Sequence, residues 1–215
     1  MCNKTSIILL FLFSSLYGYG QFKSGFILSG GKGSISNVVF IDPYAGLENT
    51  VNIEQPYCKY KFDATLGYKF RIAPQNKPVF YDIDLYVGLR RFNTGFTANG
   101  EIFPSNGDSY ELVNEEWHKQ HDYLSFSLNP SWNYRLVKGL YAGVGIEPTM
   151  YRYRSSMYMY KRWKFDLPLT AKIGYYLKFI DFSISYKHGF FDTMNQYVLE
   201  PAKFRNWQLS VFIPF

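Results

Sequence analysis

Cysteine is nearly missing from this chain. Only Cys2 and Cys58 occur in 215 residues. Cys2 falls in an N-terminal leader, too close to Met1 to be a lipoprotein cysteine, so the mature chain holds one thiol and no intrachain disulfide. Charge is also scarce, at 19% of residues. The formal net charge is +6, but the basic residues are spread along the chain rather than gathered in a stripe, which argues against nucleic acid as a partner. Beyond the first 20 residues there is no apolar run of the roughly 20 residues that a membrane-crossing helix needs. Mean hydropathy is slightly negative. If this chain crosses a membrane, it does so by alternation.

What is plentiful is aromatic. The chain carries 20 Tyr, 20 Phe and 4 Trp, side chains that favour strands and membrane interfaces. The first 20 residues stand apart from the rest. Lys4, an apolar stretch over 7–16, and the small residues Gly18 and Gly20 have the layout of a secretory leader, with cleavage expected between Gly20 and Gln21. Residues 21–215 then form one domain.

That domain reads as eight segments of period-two alternation. Over 57–71, Cys58, Tyr60, Phe62, Ala64, Leu66, Tyr68 and Phe70 oppose Lys59, Lys61, Asp63, Thr65, Gly67, Lys69 and Arg71. Over 79–90, Tyr81, Ile83, Leu85 and Val87 oppose Phe80, Asp82, Asp84, Tyr86, Gly88 and Arg90. The pattern repeats near 124–134, 140–150, 163–175, 182–187 and 206–215, with a weaker, Gly-rich first segment at 25–34. The connections alternate long and short: 35–56, 72–78, 92–120, 135–139, 154–160, 178–181 and 189–201. Asn99-Gly100 and Asn106-Gly107 are turn signals, so the second long connection is expected to fold as a hairpin that could pair with a partner. Pro130, Pro148 and Pro168 fall inside strands, where each removes a ladder hydrogen bond. Bulges or strand ends are expected there.

An even number of strands, with long and short connections in phase, predicts an all-β, eight-stranded antiparallel up-and-down transmembrane barrel. Size decides which face is outside. The interior of an eight-stranded barrel is just wide enough for side chains to fill. The apolar set is too bulky for it, whereas the small and charged set fits. The interior set therefore holds Lys59, Lys61, Asp63, Lys69, Arg71, Asp82, Asp84, Arg90, Glu147, Lys164, Asp166 and Lys172. These are expected to form a paired network that plugs the lumen, since a lone buried charge is strongly unfavourable. An ion path is the competing reading. Tyr57, Tyr60, Tyr68, Phe70, Trp132, Tyr134, Trp163, Tyr175, Trp207 and Phe215 are expected in two interfacial girdles.

The last segment, with Trp207, Leu209, Val211, Ile213 and the terminal Phe215, resembles the C-terminal signal read by the barrel assembly machinery of the outer membrane, with Pro214 as a departure. Residues 21–215 as a whole resemble the small barrels of the OmpA/OmpX type, and most of all the PorT-like outer-membrane β-barrel proteins of Bacteroidota. That resemblance implies an outer-membrane location with periplasmic termini and lipid contact. It further implies a non-enzymatic role through extracellular loops, with an accessory function in protein secretion as its PorT-like form, and no cofactor.

Candidate chemistry is sparse. His118 and His121, with Glu115 and Glu116 nearby, could be considered for a metal, but a spacing of three does not align two ligands on a strand. His188 with Ser183 and Ser185 resembles the His–Ser pair of lipid A deacylase barrels, an alternative that would make the chain a lipid-modifying enzyme. Parity, however, puts His188 outside and both serines inside. Gly30-Gly31-Lys32-Gly33-Ser34 lacks the spacing and the following helix of a phosphate loop.

Overall fold

In a computed structural model the described residues are 20–36, 39–40, 48–49, 51–103, 110–154, 163–177, 179–196 and 199–215. Residues 1–19, all of the expected leader but Gly20, and the Asn106-Gly107 turn signal lie outside them. The described strands are β1 (Gly20–Ser36), β2 (Val39–Phe40), β3 (Glu48–Asn49), β4 (Asn52–Pro74), β5 (Val79–Phe103), β6 (Tyr110–Val137) and β7 (Leu140–Ile146). They continue with β8 (Thr149–Arg154), β9 (Trp163–Asp166), β10 (Leu169–Tyr176), β11 (Asp181–His188), β12 (Met194–Gln196) and β13 (Leu199–Pro214). Every pairing is antiparallel, β4, β5 and β6 following one another as neighbours. β6 pairs with β7 and then β8, and these pair with β10 and β9. β10 pairs with β11, and β11 with β13. β1 closes the ring between β13 and β4. Counting β7 with β8 and β9 with β10 as single staves, the barrel has eight.

Gly20 faces Pro74 and Gly25 faces Pro214. Both ends of the barrel therefore lie at the rim carrying the short connections 75–78, 138–139 and 177–180. The opposite rim carries the long connections. The second of these is not a loose loop. β5 and β6 stay paired from Val79↔Tyr134 up to Ile102↔Tyr110. At about 3.3 Å per residue, such strands run far beyond the 9–11 residues that cross a bilayer. Asn99-Gly100 does not turn the chain. It stays in the ladder, where the register shifts between Ala98 and Gly100 because Asn99 faces two residues of β6, Val113 and Asn114; Gly100 has φ 137° and Asn114 φ 49°.

The prolines produce no bulge. Thr149↔Asp166 and Leu169↔Ile146 belong to one continuous register, although strand structure is interrupted between them. Pro148 and Pro168 sit at these breaks, and their carbonyls still accept: Leu128 donates to Pro148 at 3.1 Å and Glu147 to Pro168 at 2.8 Å. A proline lacks only its donor, so the acceptor half of the ladder carries the register through.

The outer face is apolar. Leu66 is 60% and Ile173 61% exposed, and Leu85, Val87, Phe126, Val144, Ile184 and Leu209 project likewise. The inner face combines charges, small residues and, contrary to a uniformly slim interior, several tyrosines. The tyrosines fit because glycines face them. A Cβ on Gly67 would sit 2.8 Å from the Tyr86 ring, and one on Gly174 would collide with the Tyr141 ring.

Candidate functional site: the lumen network

The interior charges divide into two linked groups. Nearer the short-turn rim, Asp82 is the hub. Arg71 donates to it through Nε (2.7 Å) and Nη2 (2.9 Å). Lys172 reaches it at 3.0 Å and Lys69 at 3.4 Å. Arg71 Nη1 also meets Asp181 at 2.6 Å, and Lys69 lies 3.5 Å from Asp84. Tyr141 donates to Asp181 at 2.8 Å and Tyr86 to Asp84 at 2.9 Å.

Nearer the long-loop rim, Arg90 donates through Nη2 to Asp63 at 2.7 Å and through Nη1 to the Tyr151 hydroxyl at 2.9 Å. Asn206 donates to Asp63 at 2.7 Å. Glu147 receives Lys187 at 2.6 Å and Asn129 at 3.0 Å. Gln208 donates to Thr65 at 2.9 Å. Above these lies a cluster of Tyr60, Phe92, Tyr123, Tyr151 and Phe204, with His121 stacked on Phe92 at 4.8 Å.

These bonds tie opposite walls. Lys172 on β10 and Asp82 on β5 belong to staves separated by β6 and β7, and Arg71 on β4 is separated from Asp181 on β11 by β1 and β13. Lys69 and Asp82 are each 1% exposed. Buried pairs of this kind are weak evidence for net stability, but breaking one is strongly unfavourable because the partner is left bare. The interior of an eight-stranded barrel is just wide enough for such side chains to fill.

Of the twelve residues expected inside, Asp63, Lys69, Arg71, Asp82, Asp84, Arg90, Glu147, Asp166 and Lys172 are buried. Lys164 is half-buried. Lys59 and Lys61 are a correction: both are exposed. The β4–β5 register shifts between Tyr60 and Phe62, and the extra residue inverts the parity above it. Cys58 and Tyr60 therefore turn inward, and Tyr60 leaves the expected girdle for the interior cluster.

Asp166 has a different role from the ion pairs. Its Oδ1 accepts three backbone N–H groups, from Leu167 (2.8 Å), Phe190 (3.1 Å) and Phe191 (2.9 Å). It thereby anchors the segment that follows β11, where no regular ladder runs.

Sequence reasoning passed over Asp181, placed in a turn, and Lys187, although Lys187 shares the inward parity of Ser183 and Ser185. His121, considered above only with His118 for a metal, sits in the interior instead. That imidazole is buried, with Nε2 2.8 Å from Thr94 Oγ1, whereas His118 is exposed on the other face. Ser183 and Ser185 are buried inside, while His188 packs against the outer rings of Tyr186 and Phe190. The structure does not bring the histidine and serines together. Trp207, Leu209, Ile213 and Phe215 are exposed on the outer face, and Val211 is half-buried there.

No protein-family model matches the sequence, and no curated protein does. Among solved structures, the chain is similar to Ail, the attachment invasion locus protein of Yersinia pestis, solved in complex with the heparin analogue sucrose octasulfate. The two are 14% identical, the match covers 91% of this chain and 99% of that one, and the TM-score is 0.43. It is also similar to the outer membrane protein OprG of Pseudomonas aeruginosa, with 13% identity, coverage of 91% and 94%, and a TM-score of 0.40.

Proposed function

We propose that this chain is an integral outer-membrane β-barrel with a closed lumen and no catalytic role, its termini in the periplasm and its long hairpin turned to contacts outside the cell. One observation carries the reading. A closed antiparallel ring wears Leu, Ile, Val and Phe outside and keeps five cations and six carboxylates buried within. In water that belt would be a very large exposed apolar surface. In hydrocarbon it is the natural contact, and ring closure leaves no unpaired backbone edge. The belt runs from Tyr81 to Leu89 on β5 and from Leu124 to Tyr134 on β6, about the height that tilted strands need to cross a bilayer. Short connections at the rim holding both termini support a periplasmic assignment for that rim. The exposed row Trp207, Leu209, Ile213 and Phe215 supports its reading by the assembly machinery.

The function outside the membrane would be contact, of which a PorT-like part in protein secretion is one form. Among the described residues, β6 over 110–120 pairs only with β5, so this edge of the hairpin is suited to strand addition. The test is twofold. Membrane-extracted protein should migrate differently before and after boiling, and planar-bilayer recordings should show no large, stable conductance. A soluble, heat-insensitive protein overturns the membrane assignment, and a stable conductance overturns the closed lumen.

A further inference from the structure

The short-turn mouth of the barrel breaks the rule that governs the rest of the lumen. Farther in, each buried cation meets a carboxylate: Lys69, Arg71 and Lys172 at Asp82, Arg90 at Asp63, Lys187 at Glu147. At the mouth this pairing stops. A hollow of about 180 Å³ is lined by Lys23, Arg71 and Arg135 together with Phe80, Tyr141 and Tyr176. It shares Arg135 and Gly139 with a wider hollow of about 680 Å³ between the turns, where Lys77 and Lys138 stand. Among the described residues, no Asp or Glu lines either one.

The cations differ in what they have left to give. Arg71 is engaged, with Nε and Nη2 on Asp82 and Nη1 on Asp181. Lys23 donates once, to the Tyr176 hydroxyl at 2.7 Å, and lies 4.6 Å from the centre of that ring. Arg135 makes one long bond, 3.5 Å, to the Lys77 carbonyl and lies 5.6 Å from the Phe80 ring. Neither has a carboxylate partner among the described residues; Lys23 is half-buried, and Arg135, like Lys77 and Lys138 on their turns, is exposed. Aromatic walls lower the local dielectric and focus the field of such a cluster into the cavity. Ammonium and guanidinium donors from separate staves surround the space on several sides. A tetrahedral anion with three or four oxygens can serve them together, whereas a carboxylate offers two.

We propose that this mouth binds a phosphoryl group, with Lys23 and Arg135 as inner ligands and Lys77 and Lys138 at the rim. The group is either free phosphate or the headgroup of an anionic phospholipid in the surrounding leaflet. The test uses full-length protein extracted from membranes in a non-ionic detergent. It is titrated calorimetrically at low salt with inorganic phosphate and, separately, with micelles carrying phosphatidylglycerol. Saturable binding of phosphate supports the free anion as ligand, and saturation by the lipid alone supports the headgroup. Lys23→Gln/Arg135→Gln is expected to weaken binding tenfold or more, while Lys59→Gln, exposed beyond the bulge on the long-loop side, leaves it unchanged. Should the double variant not give a heat-modifiable barrel, Lys77→Gln/Lys138→Gln on the exposed turns is expected to cost about threefold. No saturable binding of either probe, or variants that bind like the parent, overturns the proposal.

Discussion

Arg71 and Asp82 face each other directly across the β4–β5 ladder and are joined by two hydrogen bonds, from Nε at 2.7 Å and from Nη2 at 2.9 Å. Lys69↔Asp84 and Asp63↔Arg90 are also direct partners in this ladder. Three opposite-charge pairs thus stack along one hairpin, placed by its tight turn. Lys172 approaches Asp82 from across the lumen, so the carboxylate holds three cations together. Asp82→Ala is expected to destabilise the barrel by about 3–5 kcal/mol, since it leaves Lys172 without a carboxylate and Lys69 and Arg71 with only Asp84 and Asp181, the three cations repelling one another. Lys172→Met should cost less, because Lys69 and Arg71 still neutralise the carboxylate. Urea midpoints of refolded barrels rank the two.

Gly174 leaves the space that the Tyr141 ring occupies. Gly174→Leu forces that ring off Asp181 and is expected to cost at least about 1–3 kcal/mol, the usual price of overpacking. Gly30, on the outer face, has nothing within 4 Å of an added Cβ. Gly30→Ala should stay within about 0.5 kcal/mol of the parent. Equal unfolding midpoints for the two variants would contradict the knob-and-hollow packing.

Asp166 is fully buried and holds the Phe190 and Phe191 amides through a single oxygen. Asp166→Ala removes charge-assisted acceptors from three donors at once and is expected to cost about 3 kcal/mol locally. The readout is hydrogen exchange. The amides of Phe190 and Phe191 should lose protection while those of β10 and β11 keep theirs.

Cys58 lies beyond the apolar belt, turned inward by the bulge at Lys61. Burial pushes its thiol up to about 11, because the thiolate is disfavoured away from water. Less thiolate is then present at any pH below that value. Maleimide labelling of folded protein at pH 7.5 is expected to run about a hundredfold slower than labelling of the unfolded chain. Its rate should still be rising tenfold per pH unit at pH 9. A rate that levels off below pH 9 would be incompatible with a buried thiol.

Much of this molecule is legible along the chain. Period-two alternation is a property of the extended backbone, so Leu66, Leu85 and Ile173 declare one face and Lys69, Asp84 and Lys172 the other before any partner strand is known. The short 75–78 turn sets the pairing of its two arms, which is why Arg71 opposite Asp82 follows from local information. Two things escaped. A bulge adds a residue without any compositional mark, so Lys59 and Lys61 look inward although they point out. Pro148 and Pro168 do interrupt strands as expected, but the register runs on through them because their carbonyls still accept.

The contacts across the axis belong to the tertiary structure alone. Lys172 meets Asp82, Arg71 meets Asp181, and Lys187 meets Glu147 only because β1 closes against β13 in one particular stagger. That stagger is fixed by pairings between residues nearly the whole chain apart, and alternation along a single strand carries no information about it. The chain alone thus determined its strands, its greasy and ionic faces and its short turns. Closure decided which charges neutralise each other and where, at the mouth, the neutralisation runs out.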